Sequence, residues 1–123
     1  MPLSPELEAH LAELLTASPS TEAELRWQVH AHLAAAEAQA AESPLVDVSL
    51  ARRLAAAHAA LLDGWDTLSE PHQRLVQASC VYFVRTADDD HDLYSVLGFE
   101  DDAALLNHVA VTVGRADLVV EVE

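Results

Sequence analysis

Residues 21–41 read Thr21-Glu22-Ala23-Glu24-Leu25-Arg26-Trp27-Gln28-Val29-His30-Ala31-His32-Leu33-Ala34-Ala35-Ala36-Glu37-Ala38-Gln39-Ala40-Ala41, a helical pattern. Thr21 and Glu24 have the spacing of a capping box, in which hydroxyl and carboxylate each satisfy a backbone N–H that the first turn leaves unpaired. Leu25, Val29, Leu33, Ala36 and Ala40 then recur every three or four residues, which places them on one helix face. Ser43-Pro44 ends the run, because proline disfavours the helical conformation of the residue before it.

The same signals recur to either side. Ser4 with Pro5 opens a first helix repeating Leu7, Leu11, Leu14 and Leu15, and Ser18-Pro19-Ser20 breaks it. A third helix is expected from near Asp47, with Leu50, Leu54, Ala57 and Leu61, stopping at Gly64 as its C′ residue. A fourth follows Ser69, with Pro71 in its first turn and Leu75, Val76, Ser79, Cys80 and Phe83 turned inward. The fifth is expected to open near Glu100–Asp102 and to carry Leu105, Leu106, Val109 and Val113 up to Gly114. Asp117–Glu123 reads as a short strand or an extended arm. The expected fold is an all-α, single-domain bundle of about five helices over residues 1–123, with a long acidic loop before the last helix.

At 123 residues, 51% of them hydrophobic, the chain is long enough to bury a core without disulfides. Cys80 is the only cysteine, so no intrachain disulfide forms and a reducing compartment fits. No basic and apolar leader begins the sequence, and no apolar run reaches the roughly 18–20 residues that span a bilayer. The expectation is a cytoplasmic protein. Every basic residue is Arg, which together with abundant Ala suggests a GC-rich bacterial genome.

The formal charge of −15 is uneven: residues 1–87 hold eleven acids against five arginines, residues 88–123 ten against Arg115 alone. Such a field disfavours nucleic acid and anionic membrane and favours a basic protein partner or cations. The densest part is Asp88, Asp89, Asp90 and Asp92, followed by Glu100, Asp101 and Asp102. Asp88, Asp90 and Asp92 match the start of an EF-hand loop, but Leu93 stands where that loop needs Gly and Phe99 where it needs a bidentate Glu. A less regular site for Ca²⁺ or Mg²⁺ would draw on Asp88, Asp92, Asp101 and Asp102, hard oxygen donors that suit those ions. The simpler expectation is that Glu100, Asp101 and Asp102 stabilise a helix start and the others cap turns or meet Arg74 or Arg85. Repulsion among the acids would make stability rise as the pH falls from 7 toward about 5, and rise with added salt.

The remaining chemistry is sparse. His30 and His32 lie two apart on a helix and cannot share one ion, and the other histidines are scattered, so surface or half-buried positions are expected for them. Cys80 lies on the apolar stripe of the fourth helix and reads as a buried small hydrophobe. No phosphate-binding glycine loop or nucleophile elbow occurs. Trp65, between Asp63 and Asp66, is either a helix-end residue folded over the core or an aromatic anchor on an acidic surface.

Tyr82-Phe83, Asp88, Asp92, Val96-Leu97, Gly98-Phe99 and Asp101-Asp102, followed by Ala103-Ala104-Leu105-Leu106, form a pattern over residues 75–113. It resembles the core motif of the YkvA-like family of small bacterial proteins: an aromatic-ended helix, two aspartates four apart, then Gly-aromatic-x-Asp-Asp opening another helix. Ala87 and His91 stand where the family has prolines, and the hydrophobic character common in that family is weaker here. The resemblance implies an α-helical protein without an established activity and singles out Asp88, Asp92, Gly98, Asp101 and Asp102. Two functions are therefore expected to compete. One is a non-enzymatic interaction or regulatory module for a basic partner, using Asp88, Asp89, Asp90, Asp92 and Trp65. The other is a divalent-cation binder or metal-dependent enzyme built on the Asp88–Asp102 loop.

Overall fold

Local chemistry at the helix starts carries over directly into the computed structural model, which describes residues 3–42, 48–85 and 96–120, with side chains excepted at Arg85 and 96–101. Helix α1, Pro5–Leu14, begins where Ser4 Oγ accepts the Leu7 N–H at 3.2 Å, and it buries Leu7, Leu11 and Leu14. Helix α2, Glu22–Glu42, begins at the reciprocal box: Thr21 Oγ1 accepts the Glu24 N–H at 3.1 Å, and Glu24 Oε1 accepts the Thr21 N–H at 3.4 Å. Helix α3 is Val48–Asp63 and α4 is Glu70–Arg85, with Ser69 Oγ accepting the His72 N–H at 3.4 Å. A 3₁₀ turn, Trp65–Thr67, joins α3 to α4.

Helix α5 is Val96–Thr112 and starts earlier than its acids suggest. Glu100, Asp101 and Asp102 therefore occupy its second turn, where the N-terminal partial charge that favours acids has largely faded. Two helix ends also exchange roles. Gly64 stands after α3 with φ −95°, an ordinary conformation that any residue adopts. Gly114, with φ 83°, is the left-handed cap: its N–H donates to Val111 O at 3.2 Å and the Arg115 N–H to Ala110 O at 2.7 Å. That pair of bonds closes the last turn of α5 as a Schellman motif.

Helix α2 packs against α3 and α4, α5 lies across α3 and α4, and α1 covers α4 and α5. The result is five α-helices with no strand among the described residues. The chain beyond α5 forms a second 3₁₀ turn, Ala116–Leu118, and the end of the expected strand or arm, residues 121–123, lies outside the described residues. Asn107 then holds Val120 by both backbone groups, accepting its N–H at 2.7 Å and donating to its carbonyl at 2.9 Å. No helix among the described residues is long and apolar enough to cross a membrane.

The core contains most of the predicted leucines and valines together with Phe83, which is fully buried, whereas Leu15 at the end of α1 is exposed and Leu33, Leu75 and Val113 are half-buried at its edge. It also contains two histidines that the sequence reading placed at or near the surface. His32 is 4% exposed and His58 0%. Their rings contact Phe83, His32 edge-on at 4.5 Å and His58 stacked at 5.2 Å. His58 joins two helices: its Nδ1 lies 2.7 Å from Leu54 O and its Nε2 2.7 Å from Ser79 Oγ. A carbonyl only accepts, so Nδ1 carries the proton and Nε2 accepts from the Ser79 hydroxyl. Burial pushes His58 down to about 4, because a charged imidazole has no water there.

Cys80 is buried, as its place on the stripe implies, and burial pushes its thiol up to about 12. Thiolate is therefore scarce and out of reach. Alkylation by iodoacetamide at mildly alkaline pH is expected to be slower by about a hundredfold or more in the native chain than in urea. Equal rates, followed by mass spectrometry, would contradict this packing.

Candidate functional site

A groove of about 680 Å³ opens where the α1–α2 connection crosses the start of α4. Its construction begins with Gln77, a buried side chain on α4 that is 3% exposed. The Gln77 amide donates to Ser18 O and accepts the Ser20 N–H, both at 2.8 Å, and so takes the place of backbone pairing for an irregular segment. One turn earlier, Arg74 Nη1 donates to Ala17 O at 2.7 Å. These bonds fix one wall. Replacing Gln77 with Ala strands two backbone groups, so urea unfolding is expected to register a loss of about 1–3 kcal/mol. A loss under about 0.5 kcal/mol would mean that water takes over both bonds.

Trp65 also lines the groove. It is half-buried and packed against the core, and its carbonyl accepts from Gln73 Nε2 at 2.9 Å. It is thus both a residue folded over the core and one face of an open groove. Glu22, Asp66 and Glu70 line the rim, and Arg74 is the basic lining residue. Nearby, Arg26 meets Glu22 at 3.1 Å and Asp63 at 2.9 Å, and these carboxylates raise its pKa further. Exposed pairs of this kind contribute only about 0.2–1 kcal/mol, but they hold the mouth of α2 to the end of α3.

A groove of this size lined by a tryptophan and three carboxylates can receive a cationic side chain. The ring face attracts the cation and the acids complement its charge. Among the described residues, no group of three or more His, Cys, Asp or Glu could hold a metal ion.

Among the described residues that the sequence offered as partner-binding or metal-ligating, Trp65 lines this groove. Asp88, Asp89, Asp90 and Asp92 lie outside the described residues, as does His91. Gly98 and Asp101 fall within α5, and no side-chain geometry is described for them. Asp102 is 2% exposed, so it faces the protein interior and is no solvated first-turn acid. Gln77 is not legible in the sequence because it meets residues 57 and 59 positions away, and Arg74, offered there as a partner for the acids, instead meets Ala17, 57 positions away. The Ser79–His58 pair has the composition of a nucleophile and its base, yet both residues are sealed in the core. Compared with protein-family models, curated proteins and solved structures, the chain has no significant match to any of them.

Proposed function

We propose that this chain is a non-enzymatic interaction module that receives a basic protein partner. The observation that supports this reading best is the groove of Trp65 with Glu22, Asp66 and Glu70 on its rim, in a chain of charge −15. An arginine or lysine entering there meets an aromatic face, worth about 0.5–2 kcal/mol to a cation as water is excluded. The field of the whole chain steers such a partner in. Asp88, Asp89, Asp90 and Asp92 belong to the same proposal as a second acidic contact. A reducing cytoplasmic setting is part of it too, since the only cysteine is buried and forms no bridge.

Calorimetric titration of the full chain with an arginine-rich peptide, and separately with Ca²⁺, Mg²⁺ and Mn²⁺, tests the proposal. Peptide binding is expected to weaken by about tenfold or more on Trp65→Ala, and to weaken with added salt. The Asp88→Asn/Asp92→Asn double variant is expected to weaken it while the circular dichroism stays helical. Tight uptake of a divalent ion that this double variant abolishes, with no peptide binding, would replace this reading with the cation-binding one.

A further inference from the structure

Helix α2 has a second apolar face, and it points away from the protein. Leu25, Val29, His32 and Ala36 are buried against α3 and α4. A surface helix ordinarily presents polar residues opposite such a face. Here the opposite line is Ala23, Trp27, Ala31, Ala34, Ala38 and Ala41, all exposed. At roughly 100° per residue these positions lie within about 40° of Trp27. Alanines alone would reflect only helix propensity. Trp27 is different: a large ring that is 72% exposed, on a helix where propensity does not ask for it.

The rim of this face carries three glutamates and a histidine. Glu24 and Glu42 run along one edge, and Glu37 with His30 along the other. Arg26, the one arginine of α2, is turned aside to Glu22 and Asp63, and Glu37 faces Arg52 of α3 at 2.9 Å. A second copy of this chain fits poorly. Antiparallel pairing of two α2 helices brings Glu24 of one near Glu42 of the other, and each chain carries −15. The face is also continuous with the Trp65 groove, because Ala23 belongs to both.

Building on the proposed function, we infer that the Trp27 face of α2 docks an amphipathic helix of the basic partner, its small apolar stripe flanked by arginine or lysine. Alanines let the two backbones approach closely, toward the lower end of the roughly 8–10 Å interaxial range. Trp27 is the anchor, and the glutamates select the flanking charges. A partner helix lying along α2 delivers its end to the Trp65 groove.

The test uses the full chain and two designed helical peptides of equal length, each with an alanine–leucine stripe, one flanked by arginine and the other by glutamate. Binding is expected for the arginine peptide alone, and to weaken by about tenfold or more in both Trp27→Ala and Ala34→Glu. Circular dichroism is expected to remain unchanged in these surface variants. Equal affinity in both variants, with the short arginine-rich peptide still bound at Trp65, would overturn the docking face and leave the groove standing. Failure of the arginine-flanked helix and of the short arginine-rich peptide alike would overturn the face and the groove together. Sedimentation of the wild type as a dimer that Ala34→Glu dissociates would show that the occupant is a second copy and overturn the inference.

Discussion

Phe83→Ala is expected to lower the stability of the chain by about 3–5 kcal/mol, the largest loss any single truncation here should produce. Phe83 is fully buried on α4 and its ring is contacted by His32 from α2 and His58 from α3. Removing it empties the junction of three helices and takes away the apolar wall against which both imidazoles sit. Helix α4 cannot collapse into the gap without breaking the His58–Ser79 bond. A chain whose total stability is in the usual range of about 5–15 kcal/mol would then be marginal at 37 °C. Urea unfolding of the variant measures the effect. A loss below about 1 kcal/mol would show that the junction repacks freely.

Acid should destabilise the protein through His58. Its folded value of about 4 lies below the ordinary 6.5. Because the folded value is depressed, its contribution is fully present above the unfolded pKa and is lost as the pH falls toward the folded one. Between pH 7 and 5 the unfolded chain takes up a proton that the folded chain refuses, which removes about 2 kcal/mol of stability. Repulsion among the crowded acids acts in the opposite direction. The two effects separate by salt, which screens exposed carboxylates but hardly reaches a buried ring. In His58→Gln the acid-induced loss should disappear, while the variant is less stable than wild type at pH 7. Identical pH profiles for the two proteins would show that His58 is not buried as a neutral base.

What the sequence revealed and what it hid follow from how local each interaction is. Ser4 with Leu7, and Thr21 with Glu24, are contacts across three residues, so the starts of α1 and α2 were legible. The start of α5 was misplaced because Glu100–Asp102 look like first-turn acids. Helix propagation adds a bond for each residue fixed, and Gly98 weakens a helix by only about 1 kcal/mol without ending it. His58 follows Leu54 by four residues and precedes Leu61 by three, so its position on the stripe was readable. Its burial is not legible there, because an imidazole needs a hydrogen-bond partner to be buried. Ser79, the partner that makes burial tolerable, lies 21 residues away. The Trp65 groove was half legible: the tryptophan and Asp66 announced themselves, whereas the wall held by Gln77 exists only once α4 meets the α1–α2 connection.

The central claim, that a basic partner enters the Trp65 groove, is tested most directly through the indole N–H signals of the chain's two tryptophans. A ¹⁵N–¹H correlation spectrum, with Trp27→Phe and Trp65→Phe to assign them, is recorded while an unlabelled arginine-rich peptide is added. The account predicts saturable movement of the Trp65 indole, accompanied by the side-chain amides of Gln73 and Gln77 and reversed by salt. An unmoved Trp65 indole at peptide concentrations that saturate binding elsewhere would contradict it.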